Sequence, residues 1–257
     1  MKRVLSLVCA MSLFCGAGFA QSKDVMVVRQ TDGNEVRFDV TKVEKVYVTT
    51  EEQTPEPESI DMGLSVKWAS FNLGASKPEE CGDYYGWGCT EAYAEGEDVT
   101  WAWALYFQKL GGTGTSMDDC GTDKDPLKEY FETNGHNIAG TKWDAARQKL
   151  GGAWRMPTRD EIDELVNEEN CSWSKTTENG VNGYMVTSKK NGNSIFLPAA
   201  GRRQYGNEDL VGELGCYWGA SPDARFSNAA RNIYFTNVYY GGYDDRYIGY
   251  PIRPVTD

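Results

Sequence analysis

The sequence predicts an α+β domain, and three observations carry that reading. Helical patterns lie in the middle of the chain, over residues 101–110 and from 141 to 168, while strand-like runs lie at both ends, the order of α+β rather than alternating βαβ. Residues 151–165 hold a helix stop, a rigid corner and a helix start in quick succession. After Asn170, short aromatic and β-branched runs are punctuated by Asn179-Gly180, Asn182-Gly183 and Asn191-Gly192, the dipeptides of tight hairpin turns.

Residues 1–20 read as a secretory leader: Lys2 and Arg3 open it, residues 4–14 are apolar, and Gly18 and Ala20 are small residues at the positions a signal peptidase reads. Cleavage is expected after Ala20, which sends the chain to the periplasm, the outer surface or the medium. Cys15 follows Phe14 and Cys9 follows Val8, not the small residue a lipoprotein signal needs, so lipidation is the weaker reading. No later stretch is long and apolar enough to span a membrane.

Residues 21–50 form a short β segment. Val25, Val27 and Val28 lead to the turn signal Asp32-Gly33-Asn34; Val36, Phe38 and Val40 alternate with polar residues, and Val43, Val46 and Val48 follow. Residues 51–59 are an acidic, Pro-rich linker, extended and self-repelling. The main domain is 60–257.

Within it, Val66 and Trp68 mark a short strand, and Tyr84, Tyr85 and Trp87 sit in a Gly-punctuated run of turn and strand. A helix is expected over 101–110 and a helical turn over 126–132. The helix 141–150 meets Gly151 and Gly152, which accept the left-handed conformation that stops it. Pro157 pushes Met156 toward an extended conformation, and Thr158 with Glu161 is a capping box that starts the next helix. Ile162, Leu165 and Val166 give that helix its apolar face, and Trp154 and Met156 occupy the corner as a brace. Strands are expected over 173–177, 184–188, 194–197, 217–221, 230–235 and 238–240. The last, 250–255, contains Pro251 and Pro254 and so belongs at an edge or in irregular pairing.

The formal net charge is -12, and losing Lys2 and Arg3 with the leader makes the chain more acidic still. That balance makes the chain a poor candidate for binding nucleic acid or anionic lipid, and neither is expected as a partner. Cys81, Cys89, Cys120, Cys171 and Cys216 remain after the leader, an odd number in an oxidising compartment. Cys81 and Cys89 are near enough in sequence to bridge a turn and are the first pair expected; spacing leaves the connectivity open.

Catalytic chemistry finds no foothold. His136 stands in a Gly/Asn-rich loop without a nucleophile motif. Asp160, Glu161, Asp163 and Glu164 lie on the first turns of a helix, where the dipole and solvent account for them. The run 111–115 lacks the Lys-Ser/Thr of a phosphate loop. Asp118, Asp119, Asp123 and Asp125 do not match an EF-hand and read as solvated loop acids. No enzyme activity, metal site or cofactor is expected.

Several motifs resemble one known family. Asp61-Met62-Gly63-Leu64-Ser65-Val66-Lys67-Trp68-Ala69, Asn72-Leu73-Gly74-Ala75 and Gly82-Asp83-Tyr84-Tyr85-Gly86-Trp87-Gly88 are similar to the opening motifs of the Fibrobacter succinogenes major paralogous domain, abundant in exported proteins of Bacteroidota. Trp143-Asp144-Ala145-Ala146-Arg147, Gly152-Ala153-Trp154-Arg155-Met156-Pro157-Thr158, Asn179-Gly180-Val181-Asn182-Gly183-Tyr184, Ile195-Phe196-Leu197-Pro198-Ala199-Ala200-Gly201, Tyr217-Trp218 and Ile252-Arg253-Pro254-Val255 continue the run in order. The resemblance implies a C-type-lectin-like fold with two central helices and irregular antiparallel sheets. It implies no established catalytic residues, and in related lectin-like folds the C-terminal third can present a ligand-binding face. The chain departs from the family pattern at Cys81, Cys89 and Cys216.

That third is where composition points as well. Trp218, Arg225, Asn228, Arg231, Asn237, Tyr239, Tyr240, Tyr243, Asp244, Arg246 and Tyr247 combine flat amphipathic area with adaptable hydrogen bonding, the chemistry of recognition surfaces. The expected function is an exported, non-enzymatic binding module that offers this face to a protein or glycan. The alternative is a structural subunit of a bacterial surface assembly. Oligomeric state is left open.

Overall fold

A computed structural model describes residues 25–29, 35–39, 55–94, 96–97, 102–128, 130–131, 137–204 and 207–257. The leader with its cleavage point, the turn at Asp32-Gly33-Asn34, the strand expected at Val43, Val46 and Val48, linker residues 51–54 and His136 lie outside the described residues. The chain divides into two units, Met1–Glu52 and Gln53–Asp257. In the first, β1 (Val25–Arg29) and β2 (Glu35–Asp39) form an antiparallel pair that sets Met26 opposite Phe38 and Val28 opposite Val36.

The second unit is α+β. Its strands are β3 (Ser59–Asp61), β4 (Lys67–Ala69), β5 (Cys171–Glu178), β6 (Val181–Ser188), β7 (Ser194–Pro198), β8 (Arg202–Gln204), β9 (Asn207–Asp209), β10 (Gly215–Pro222), β11 (Ala229–Phe235), β12 (Tyr239–Asp245) and β13 (Val255–Thr256). Its helices are α1 (Ala102–Lys109), α2 (Ala145–Leu150) and α3 (Arg159–Val166). The strands form antiparallel sheets in the orders β13-β4-β3, β5-β6-β7, β8-β9 and β10-β11-β12. No described helix is long and apolar enough to cross a membrane.

Both ends of this unit meet in the sheet β13-β4-β3, where Trp68 pairs with Ile60 and with Val255. The linker therefore ends earlier than its acids and prolines suggest. Pro57 is buried, Ser70 N donates to Glu58 O at 2.9 Å, and Trp154 Nε1 donates to Glu56 Oε1 at 3.2 Å. An apolar ring and available donors on the domain outweigh the self-repulsion of the acids.

The corner forms as its residues dictate. Asp144 caps α2 by accepting from Arg147 N at 3.1 Å, so the helix starts at Ala145 and not at 141. The same carboxylate accepts from Gly140 N at 2.7 Å and Met156 N at 2.9 Å, tying both sides of the corner to one buried group. Gly151 stops α2 with φ 68°. Thr158 and Glu161 make the reciprocal capping box of α3, which ends at Val166.

One turn signal misleads. Asn182-Gly183 lies inside β6, opposite Thr177 and Thr176, and only Asn179-Gly180 turns the hairpin, with φ 48° and 88°. Gly183 is there for closeness. A Cβ on it would strike Leu197 O and stand 2.6 Å from the Phe196 ring. The last expected strand is irregular, as its prolines require: Tyr250 makes a single bridge to Tyr85, and the next strand is β13.

The sheet β10-β11-β12 separates two hydrophobic cores. Cys216, Trp218, Ala220 and Ala230 face one, with Tyr85, Trp87, Tyr106, Phe107 and Met156. Tyr217, Ile233 and Phe235 face the other, with Trp68, Val186, Leu197, Ile162 and Leu165. Alternation along a strand buried on both sides produces this division. The corner serves both cores, Met156 in the first and α3 in the second. Trp154 is 6% exposed but belongs to neither core; its ring lies at the rim, against Glu56.

Candidate functional site

The C-terminal segment sorts its expected binding residues by sheet face and depth. Trp218 is 0% exposed; its Nε1 donates to Tyr85 O at 2.8 Å and Ile248 O at 3.2 Å, and its ring lies 4.7 Å from that of Tyr250. Arg246 is buried as well, with Nη2 on Asp125 Oδ2 at 2.5 Å and its guanidinium between the rings of Trp87 and Tyr106. Tyr247 packs on Trp103 at 4.7 Å, and its hydroxyl accepts from Gln204 Nε2 at 2.7 Å. These three are core residues, a correction to their place on the expected face. Each falls on the inner side of a strand or of the turn that follows, and composition does not distinguish the sides.

A second group is half-buried and held by its own neighbours. Asn228 Nδ2 donates to Asp245 Oδ1 at 2.7 Å, and Tyr250 OH donates to Asp244 Oδ2 at 2.6 Å. Arg231 Nη2 donates to Gly241 O at 3.2 Å, and the guanidinium lies near Asp223 and Asp163. Tyr239 stacks on Trp173 at 4.7 Å and 10°.

What reaches solvent is smaller and sharper than the sequence suggests. Tyr243 and Phe226 are 44% and 45% exposed and stack at 5.6 Å with 27° between planes. Arg225 lies over this pair, its guanidinium 4.6 Å from the Tyr243 ring and 5.4 Å from that of Phe226. Asp223 anchors it from below: Asp223 Oδ1 accepts from Arg225 N at 2.9 Å and from Nε at 3.2 Å. Although burial works against ionisation of Asp223, the hydrogen bonds from Arg225 outweigh it and hold the carboxyl below the usual carboxylate range.

On the opposite face of β12, Tyr240 is 47% exposed and stacks on Tyr234 at 4.9 Å, its register partner on β11. Asn237 and Val238 are exposed in the adjoining turn, and Lys175 Nζ donates to Asn237 Oδ1 at 3.2 Å. Tyr240 and Tyr243 are three positions apart on one strand, so they emerge on opposite sides. Phe226 was not among the expected site residues. The available signal was an aromatic residue in the otherwise polar run 225–228, with no alternating neighbour to bury it.

The remaining reactive groups are spent on structure. Cys81, Cys89, Cys120, Cys171 and Cys216 are all free thiols, so the expected Cys81–Cys89 bridge is not formed. Cys89 is buried in the core with Sγ 4.0 Å from Tyr106 O, whereas Cys81 lies half-buried beside the Tyr84 hydroxyl. Burial pushes the Cys89 and Cys216 thiols up to about 12, away from nucleophilic use. Three of the four loop acids, Asp119, Asp123 and Asp125, are likewise occupied. Asp119 accepts from Lys124 Nζ at 2.8 Å and Thr115 N at 2.7 Å, with its carboxyl held at about 2 by the Lys124 bond first and the backbone donors next. Asp123 takes Lys128 at 2.6 Å, and Asp125 takes Arg246 together with the N–H groups of Gly121 and Leu127. Among the described residues no group of acids, Cys or His is placed to hold a metal ion.

Comparison of the chain with protein-family models, with curated proteins and with solved structures finds no match.

Proposed function

We propose that this protein is an exported, non-enzymatic binding module of C-type-lectin-like fold, similar to the Fibrobacter succinogenes major paralogous domain. It presents Arg225, Phe226 and Tyr243 on one face of β12, and Tyr240 on the other, to a protein or glycan outside the cell. The observation that carries the reading is the exposed Phe226–Tyr243 stack with Arg225 over it. A folded domain with two filled cores has no packing reason to leave two stacked rings in water. Flat aromatic area beside a guanidinium suits sugar rings and the planar or acidic groups of a protein surface. The leader at residues 1–20 supports export.

The test is a glycan array and a cell-surface pull-down, each run with the parent chain and with Phe226→Ala/Tyr243→Ala. Binding by the parent that the double variant loses supports the reading; two blank screens sink it.

A structural role in a surface assembly is favoured by one feature, the two-stranded sheet β1-β2. Two strands of this size, with no third strand beside them among the described residues, are marginal in water and gain from another strand. A chain lacking residues 21–50 that keeps the parent's oligomeric state and its ligand would remove that reading.

A further inference from the structure

Strand β12 ends its sheet: no described strand pairs with its outer side, where Arg231 Nη2 donates to Gly241 O at 3.2 Å. Two bonds beyond its termini set the phase of the ladder: Thr236 N donates to Val238 O at 2.9 Å, and Arg246 N donates to Asn228 O at 2.9 Å. The register places Tyr234 opposite Tyr240, Asn232 opposite Gly242 and Ala230 opposite Asp244. Antiparallel ladders alternate, so the backbone groups of Tyr240, Gly242 and Asp244 point toward β11 and those of Tyr239, Gly241, Tyr243 and Asp245 point outward. Asp245 N is taken by Asp244 Oδ1 at 2.9 Å, while the N–H groups of Gly241 and Tyr243 have no acceptor among the described residues.

Open edges are usually blunted by proline, lysine or a bulge. β12 reads Tyr-Tyr-Gly-Gly-Tyr-Asp-Asp and carries no proline or lysine, and its ladder to β11 runs without a bulge. Its two charges sit together at one end. This strand is complementary to its own reverse.

We propose that β12 pairs antiparallel with β12 of a second copy, about a two-fold axis at Gly242. Gly241 then lies opposite Tyr243 of the partner subunit, and each donates its outward N–H to the other's carbonyl, Gly241 O accepting this bond besides the one from Arg231 Nη2. Tyr240 faces Asp244 of the partner subunit, and Tyr239 faces Asp245 of the partner subunit, so each carboxylate meets a neutral residue and the acidic ends of the two strands lie apart. The Tyr243 ring covers the bare backbone of the glycine opposite, a favourable cross-strand pair. Parallel pairing would set the two Asp pairs side by side, which like charges oppose. The closed two-fold arrangement uses one patch twice and leaves the outer side of neither β12 unpaired. It goes beyond the binding reading and stands without any ligand.

Light scattering of the whole chain, from low micromolar to sub-millimolar concentration, reads the mass directly. The expected result is a concentration-dependent shift to twice the chain mass. Tyr243→Pro removes an outward N–H and leaves the inner ladder intact, so it should be monomeric throughout; Tyr243→Ala keeps the N–H and should weaken the dimer by about tenfold. Amide exchange on the parent chain needs no variant. The Gly241 and Tyr243 amides should exchange slowly when concentrated and fast when dilute, while those of Gly242 and Asp244 stay slow in both. A parent chain monomeric at every concentration overturns the proposal. So does a dimer in which Gly241 and Tyr243 are never protected, or one that survives in folded Tyr243→Pro.

Discussion

Arg155 grips Glu161 with both prongs of its guanidinium: Nη1 donates to Oε2 at 2.9 Å and Nη2 to Oε1 at 2.6 Å. The same carboxylate accepts from Thr158 N at 2.7 Å, so the cap of α3 and the extended chain before it share one charge. Burial works to raise the Glu161 carboxyl, but the Arg155 fork and the Thr158 bonds outweigh it and leave the group below its ordinary value. Its contribution is therefore fully present above the unfolded carboxyl range and fades as pH falls through the lower folded value. Glu161→Gln should cost about 2–3 kcal/mol at neutral pH, with the gap to the parent narrowing in acid. Melting temperature against pH for both chains checks it, and a constant gap would count against the bridge.

Asp125 and Arg246 form the most deeply buried ion pair among the described residues, each side chain 1% exposed. Arg246 Nε and Nη1 have no hydrogen-bond partner there. Asp125→Asn strips the compensating charge and should cost about 3–5 kcal/mol, since an unpaired buried guanidinium is the expensive outcome. Urea unfolding of this variant, compared with Asp123→Asn on the surface, reads the difference; equal midpoints would show that the pair does little.

Trp154 lies at the rim of the corner and Trp218 within the central sheet, and the two should behave differently. Trp218→Ala is expected to cost about 4–5 kcal/mol and Trp154→Ala about 3 kcal/mol, because the rim site can partly collapse onto solvent. Denaturant midpoints order the two, and a larger loss at Trp154 would make the corner, and not the central sheet, the main support.

Gly183 sits where no side chain fits. Gly183→Ala should cost about 1–3 kcal/mol, because the new methyl must displace Leu197 O and the Phe196 ring between β6 and β7. Gly180 nearby turns in open space, so Gly180→Ala is penalised through its φ of 88° alone. Thermal melts of the pair test whether crowding exceeds backbone strain at this hairpin.

Much of the frame was legible residue by residue. Thr158 and Glu161 announced a helix start because a capping box is a local event, complete within four positions. Gly151 announced a stop for the same reason, and Pro251 with Pro254 announced irregular pairing by lacking donors. Asn182-Gly183 misled because closeness to Phe196 and a turn both demand glycine, and the local sequence cannot separate them. The linker reads too long in the sequence because Glu58 and Glu56 find their partners at Ser70 and Trp154, outside the local run.

The candidate site divides along the same line. By itself the sequence determined that Tyr, Asn and Arg gather after Trp218, since composition is local. Only the tertiary structure decided that Trp218, Arg246 and Tyr247 turn inward while Arg225, Phe226, Tyr240 and Tyr243 turn out. The physical reason is that β10-β11-β12 is covered on both faces. Alternation then sends side chains to two cores instead of to core and water, and exposure is set by nearness to the outer edge of β12.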